Sequence, residues 1–495
     1  MQAYTKLEKI FKKIGDVEGA SAILHWDSST MMPKGSGESR INQLSTLQTI
    51  CHNMITAPEV SDLLDEAESN KKDLDGWQEA NLKLMRHSWK HSNALSEDLV
   101  EELSKAGSQC ELVWRTARKE DNFNQFANYL KKVLDLSREA AKIKSEVLDC
   151  SPYDALLDQY DHDRKSADVD KIFAELESFL PTFTQNVIEQ QSRQFEFFKL
   201  DGPFPVEQQK ELGRGFMSLF GFNFNQGRID ESLHPCCGGV PDDIRITTRY
   251  DDEDFMSGFM GVLHETGHAL YEAGLPEKWR GQPVGEALGM TMHESQSLLI
   301  EMQVSRSRNF LIYAAPIIAS AFGKEGVQWG AENLHRLYNK VNPGLIRVDA
   351  DEVTYPSHII LRYRIEKDLI EGNMEVEDIP EAWNNYMKEL LGVTVPNNRD
   401  GCMQDIHWAD GSFGYFPTYT LGAMHAAQIF NAAKKDDHII DGIKKGDYMP
   451  LRDWLREKIH SQGSRYSSDE LLKNVTGETL NVDIYKNHLR NRYLA

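Results

Sequence analysis

Residues 254–276 read DFMSGFMGVLHETGHALYEAGLP. Asp254 or Ser257 can cap a helix start, because a short side-chain oxygen accepts from the free N–H groups of a first turn. Gly274-Leu275-Pro276 is a stop signal, since glycine tolerates the turn that ends a helix and proline cannot continue one. Between these signals His264 and His268 stand four apart. Four residues turn a helix by about 400°, so the two imidazoles differ by roughly 40° and share a face. Two neutral imidazoles there supply half of a tetrahedral zinc site. Glu265 follows the first of them, and in an H-E-x-x-H pattern that carboxylate serves as the base for an activated water rather than as a ligand. Leu263 and Ala269 flank the motif with apolar surface, and Gly267 is expected to keep the metal's approach open.

Outward from this helix the chain reads as mostly α. A second helix is expected from near Pro283 to beyond Glu301. Upstream, residues 226–252 change texture. HPCCGGVPDDIRITTRYDDED, residues 234–254, holds turn residues and then the alternation Ile244, Ile246, Thr248, Tyr250, which predicts a loop leading into a short strand or hairpin. The first 220 residues are almost wholly helical in pattern. Leu99, Leu103, Ala106, Cys110 and Val113 fall on one stripe, Phe126, Leu130 and Val133 begin another, and Asp121-Asn122 supplies a cap between them. Two more irregular stretches, 341–356 and 395–419, join 226–252 as the expected active-site surface. No linker, repeat or low-complexity segment interrupts the chain, so 1–495 is read as a single domain.

Composition narrows the partners. The chain has 495 residues, 40% hydrophobic and 27% charged, with a formal net charge of −22. That charge repels a phosphate backbone and an anionic membrane, so neither nucleic acid nor membrane is expected as a partner. Six cysteines without a regular framework read as reduced thiols in a cytoplasmic protein. The N-terminal pattern is charged and amphipathic, unlike a signal peptide. The most apolar run, 310–322, is broken by Pro316 and is shorter than the about 20 residues a membrane span needs.

A catalytic zinc needs a third protein ligand and one open position. No third histidine follows at metzincin spacing. Glu286, Glu294 and Glu301 on the next predicted helix are the candidates. Glu294 and Glu301 lie about 20° from common alignment and Glu286 about 80° from Glu294, so spacing does not choose among them. The ordinary fate of any one of them is a solvated helix face.

His264-Glu265-Thr266-Gly267-His268 followed by His293-Glu294-Ser295-Gln296-Ser297 resembles the carboxypeptidase Taq family of metallocarboxypeptidases. Further motifs agree in order: His234-Pro235-Cys236, Asp243-Ile244-Arg245-Ile246-Thr247, Ile346-Arg347-Val348-Asp349-Ala350-Asp351, and Gly401-Cys402-Met403-Gln404-Asp405-Ile406-His407-Trp408. Leu24-His25-Trp26-Asp27 and Met32-Pro33-Lys34-Gly35 also fit, so the resemblance spans nearly the whole chain. It departs at Cys236, where the family has Phe, which bears on the groove wall near His234. The resemblance implies Glu294 as third ligand, with zinc as the metal and cobalt as a possible substitute. It implies a large helical fold, similar to neurolysin and angiotensin-converting enzyme, with two helical halves flanking a deep central groove and a small β-hairpin or sheet near the site. It also implies release of single amino acids from peptides with a free C-terminus, and a homodimer.

A carboxypeptidase must recognise a terminal carboxylate, and the planar fork of arginine suits it. Arg347 is the candidate, against a plain salt bridge to Asp349 or Asp351. Arg245 is the runner-up, unless it braces Asp243. By resemblance His407 bonds substrate or the transition state, where a lone histidine is otherwise structural. A tyrosine hydroxyl can donate to the developing oxyanion, and Tyr419 is favoured over Tyr415, against aromatic packing for both. His234 is carried over as a histidine that binds substrate backbone. Trp26, Trp279 and Trp408 are read as core or groove wall.

Overall fold

Short polar side chains set where the helices begin. Asp75 accepts from the N–H groups of Trp77 and Gln78 while Gln78 returns a bond. Asn122 accepts from Gln125, as its position between two stripes predicts. Of the two caps weighed for the motif helix, Asp254 is the one used, accepting from Met256 and Ser257. Ser257 Oγ donates to Asp254 Oδ2 at 2.6 Å and braces that cap.

The computed structural model describes residues 1–194, 197–232 and 236–494. Helices used below are α1 (Gln2–Thr30), α2 (Gly76–Ala94), α3 (Phe123–Leu148), α4 (Phe255–Gly274), α5 (Gly289–Leu298), α6 (Tyr355–Glu371) and α7 (Pro417–Ala433). Three short strands, β1 (Gly227–Glu231), β2 (Cys236–Val240) and β3 (Asp243–Thr248), form a sheet of order β1-β3-β2. β2 and β3 are the expected hairpin, with Cys237 opposite Ile246. β1 adds a parallel edge, Ile229 opposite Ile246. It carries little strand signal, because Ile229 is its only large apolar residue. Ile244 and Ile246 are buried against Met217 and against Val262 and Ala269 of α4, so the sheet backs the motif helix.

Two large apolar cores share the molecule. One gathers Leu130, Val133 and Leu134 of α3 with Ile359, Ile360 and Ile365 of α6. The other gathers Phe259, Leu263 and Leu270 of α4 with Met292 and Leu298 of α5 and Phe310 and Tyr448. Helix α7 belongs to both, giving Leu421, Met424 and Ala427 to the first and Ala426, Ile429 and Ala433 to the second.

The helix expected from Pro283 starts later. Pro283–Gly285 is one 3-10 turn, and α5 begins at Gly289. Gly289 has φ +62, and a Cβ there would stand 2.8 Å from the Tyr160 carbonyl. That carbonyl accepts from Met290 N at 2.6 Å, so a neighbouring loop dictates the start. After Leu298 the winding loosens to a π-helix over Leu299–Ser305, which carries Glu301. The other two irregular stretches end earlier than read: residues 341–354 hold only the 3-10 turn Arg347–Asp349 and 392–416 stay non-helical, while Tyr355 and Pro356 open α6 and 417–419 open α7. All six thiols are free. Among the described residues no helix is long and apolar enough to cross a membrane.

Candidate active site

Helices α4 and α5 bring three ligand atoms together. Those of His264, His268 and Glu294 all lie within 4.8 Å of one another. Glu294 Oε2 stands 3.6 Å from His264 Nε2 and 3.3 Å from His268 Nε2. Ligands about 2.0–2.2 Å from a tetrahedral ion stand roughly 3.3 Å apart. The donor set therefore fits a small divalent metal, with a fourth position left for chemistry. Of the three glutamates that spacing left open, Glu294 is the one whose carboxylate joins the two imidazoles. Glu286 lies ahead of α5 on extended backbone and outside the cluster.

Glu301 has a different task. Its Oε2 is 3.0 Å from His264 Nδ1, and its Oε1 accepts from Arg306 at 2.6 Å. His268 Nδ1 is 2.6 Å from His293 Nδ1, and His293 Nε2 is 2.8 Å from Glu272 Oε1. In each hydrogen-bonded series a proton on the far side of the imidazole would leave its Nε2 lone pair free for a metal. Glu294 Oε2 also accepts from Ser297 Oγ at 3.0 Å. Burial works to raise the Glu294 carboxyl, but the adjacent His264 and His268 hold it below its ordinary value.

Glu265 is only 5% exposed, and its Oε2 has no hydrogen-bond partner. Burial pushes it up to about 7, against the pull of His264. A buried, unpartnered carboxylate beside three ligand atoms is placed to take and return a proton.

Close backbone approach fixes the pair of helices. A Cβ on Gly267 would fall 2.5 Å from the Gln296 carbonyl and 2.6 Å from Ser297 Cα. Gly267 therefore seats α5 on α4, a correction to the expectation that it clears the metal's approach. Gly422 of α7 does the same from the other side, where a Cβ would lie 2.9 Å from Glu294 Cβ.

The second group of predicted residues comes from the two irregular stretches and, with Tyr419, from the first turn of α7. Arg347 donates from Nε and Nη2 to Asp405 Oδ1 at 3.0 and 2.8 Å, and from Nη1 to Tyr355 Oη at 3.1 Å. Asp405 Oδ2 accepts from Arg362 at 2.6 Å. The partner of Arg347 is thus neither Asp349 nor Asp351. Asp349 lies 3.8 Å from Arg249, and Asp351 accepts from the backbone of Val353 and Thr354. Burial opposes ionisation of Asp405, yet the two guanidinium groups hold it well below the carboxylate range. Burial lowers Arg362 to about 10, which still leaves it charged at neutral pH. Two cations on one anion leave a surplus positive charge.

His407 Nε2 is 3.1 Å from Tyr419 Oη, and burial together with Arg347 lowers this imidazole to about 3, so it is neutral. Burial raises Tyr419 to about 12, so its hydroxyl keeps its proton. Arg347 lies 4.9 Å over the Tyr419 ring. Tyr415 packs edge-on against Tyr419 and Tyr160. Tyr419 shares α7 with Gly422, which packs against Glu294, and this joins the group to the metal motif. Arg245 bonds Asp243 at 3.0 and 2.8 Å and covers Trp26, which is the bracing alternative. His234 lies outside the described residues.

The sequence reading missed Glu272, Arg306, Tyr355 and Arg362. His293 and Asp405 stood inside quoted motifs without an assigned task, and Glu301 was weighed only as a ligand. Motif membership was the available signal for the first two. Nothing local marks Arg362 in the apolar pattern of α6.

An H-E-x-x-H pair on one helix, completed by a glutamate from the next, defines a metallopeptidase. The family profile described as carboxypeptidase Taq (M32) metallopeptidase matches residues 6–493. Thermostable carboxypeptidase 1 of Thermus thermophilus is 36% identical, covering 100% of this chain and 98% of that protein. Carboxypeptidase 1 of Bacillus subtilis is 33% identical over 100% of this chain and 99% of its own. The structure of Trypanosoma cruzi metallocarboxypeptidase 1 superposes with a TM-score of 0.97 at 40% identity, covering 100% of both chains. The chain belongs to the carboxypeptidase Taq (M32) family: it is a metallocarboxypeptidase whose centre takes a divalent metal.

Proposed function

We propose that the metal is zinc, held by His264, His268 and Glu294, and that the enzyme removes single amino acids from peptides with a free C-terminus. The N,N,O donor set accepts cobalt as well. When bound, zinc supplies Lewis-acid polarisation of the scissile carbonyl and acidifies a water. Glu265 takes the proton of the attacking water and passes it to the leaving amine. Tyr419 donates its hydroxyl hydrogen to the developing oxyanion, and neutral His407 orients that hydroxyl through Nε2. Tyr415 lines the substrate path. The chain acts as one peptidase domain with its two helical halves facing across the substrate groove. It forms a homodimer, as the resemblance implies, and works in the cytoplasm, where its six free thiols stay reduced.

One observation carries the exopeptidase reading. The buried Arg347–Asp405–Arg362 group holds two cations against one anion. A terminal carboxylate supplies the missing negative charge at the Nη1 edge that Arg347 now offers to Tyr355. The test compares a peptide with its C-terminal amide in wild type and Arg347→Ala. Wild type should release free amino acids from the acid and spare the amide. Arg347→Ala should lose roughly 10- to 150-fold in kcat/KM on the acid, the worth of a charge-assisted hydrogen bond. Equal cleavage of acid and amide by wild type would sink the assignment.

A further inference from the structure

A second histidine cluster lies away from the catalytic centre. His87 and His91 are four apart on α2, so they share a face. Their Nε2 atoms stand 2.5 and 2.8 Å from one oxygen, Asp158 Oδ2. His162 enters from the loop that carries Asp158, its Nδ1 3.4 Å from Asp158 Oδ1. The His87 and His91 rings have centroids 4.6 Å apart, and those of His87 and His162 are 3.8 Å apart. The ligand atoms of His87, His91 and Asp158 meet the same 4.8 Å limit as those of His264, His268 and Glu294.

We propose that His87, His91, Asp158 and His162 form a second transition-metal site, which clasps α2 to the loop behind the catalytic helix α5.

Hydrogen bonding alone serves this cluster badly. Asp158 Oδ1 already accepts from the backbone N–H of Asp163 at 2.8 Å, so Oδ2 is left to two imidazoles at once. His91 Nδ1 is buried without a hydrogen-bond partner, and the two His162 nitrogens, also buried without one, reach carboxylates only at 3.4 Å, Nδ1 to Asp158 Oδ1 and Nε2 to Asp163 Oδ2. A cation among the three rings turns the loosely held His162 into a ligand and gives Asp158 a positive partner. Widening the two short contacts by under about 1 Å reaches the ligand spacing of a tetrahedral ion. Three imidazoles with one carboxylate select zinc, cobalt or nickel over magnesium or calcium. The competing cation is Lys144, but its Nζ donates to Gln159 Oε1 at 2.6 Å rather than to Asp158.

The position gives the site a purpose. Two residues past Asp158, the Tyr160 carbonyl accepts from Met290 N at 2.6 Å at the head of α5. Asp161 Oδ2 accepts from Thr291 Oγ1 at 2.7 Å, and the Tyr160 ring packs on Tyr415. An ion at Asp158 thus stiffens the support of the helix that carries Glu294.

The test counts metal in the full chain with the first site removed. His268→Ala/Glu294→Ala is equilibrated with micromolar Zn2+, dialysed and assayed by mass spectrometry. One zinc per chain is expected, against two in wild type, and none after adding His91→Ala. Co2+ in the same double variant should give a visible d–d absorption that His91→Ala abolishes. Zn2+ should raise the melting temperature of the double variant and leave the triple variant unmoved. No metal in a folded double variant would overturn the proposal, as would one metal retained after His91→Ala. Should the triple variant fail to fold, the double variant's count decides alone, one supporting and none refuting.

Discussion

Glu265 and Glu294 stand on adjacent helices, both buried, and their surroundings shift their proton affinities in opposite directions. Glu294 has two imidazoles and Ser297 around its Oε2, which keep it an anion. Burial raises Glu265 to about 7 against the pull of His264, and its Oε2 has no hydrogen-bond partner. Glu265→Gln should therefore cost roughly 10²- to 10⁴-fold in kcat. Metal content should stay at the wild-type value, and metal analysis beside the rate assay checks both. At this scale the sequence was legible where function rests on spacing. His264 and His268 share a face because helices have a fixed pitch, and Glu265 follows from its place between them. It was opaque where function rests on contacts through space. Arg347 meets Asp405 across 58 positions, and no rule of helix or turn geometry joins two irregular loops. Glu301 was visible as a carboxylate on the right face, but choosing between ligand and ligand-orienting group needed the positions of both imidazole nitrogens.

Helices α4 and α5 hold the ligands by backbone contact at Gly267. Ala there would drive a methyl group into the Gln296 carbonyl, which cannot withdraw without moving the whole of α5. Gly267→Ala should cost about 1–3 kcal/mol or more through overpacking. Because Glu294 rides on α5, metal affinity should fall with the melting temperature, and calorimetry with metal titration reads both. A fall in stability with unchanged metal affinity would mean that the helices give way elsewhere. Helix ends were legible wherever a short polar side chain or a glycine decided them, as at Asn122 and Asp254. The start of α5 was not, because the Tyr160 carbonyl from a distant loop decides it. Nor was the π-helix after Leu298, which redirects Glu301 without any breaker in the sequence.

The whole chain rests on buried ion pairs as well as on its cores. Glu352 accepts from Tyr493, pairs with Arg492 at 3.0 Å and meets His488 at 2.8 Å, tying the C-terminal helix to the loop before α6. Burial opposes its charge, but Arg492 and His488 prevail and hold its carboxyl far below the ordinary value. Asp405 is depressed likewise between Arg347 and Arg362. A carboxylate depressed in the folded state gives stability that is full above its unfolded pKa, about 4, and fades as pH falls toward the folded one. The melting temperature should thus decline progressively below about pH 4.5. Glu352→Gln should flatten that decline while lowering stability at neutral pH. An unchanged acid profile in Glu352→Gln would assign the loss to other groups. Helix α7 draws a different consequence from the same architecture. It is a single beam built into two walls, and Gly422 presses it against Glu294. Whichever wall warms and loosens first, the beam shifts and the ligand shifts with it. Heating should extinguish turnover several degrees before circular dichroism records any loss of helix, so the enzyme's activity works as a strain gauge for the joint.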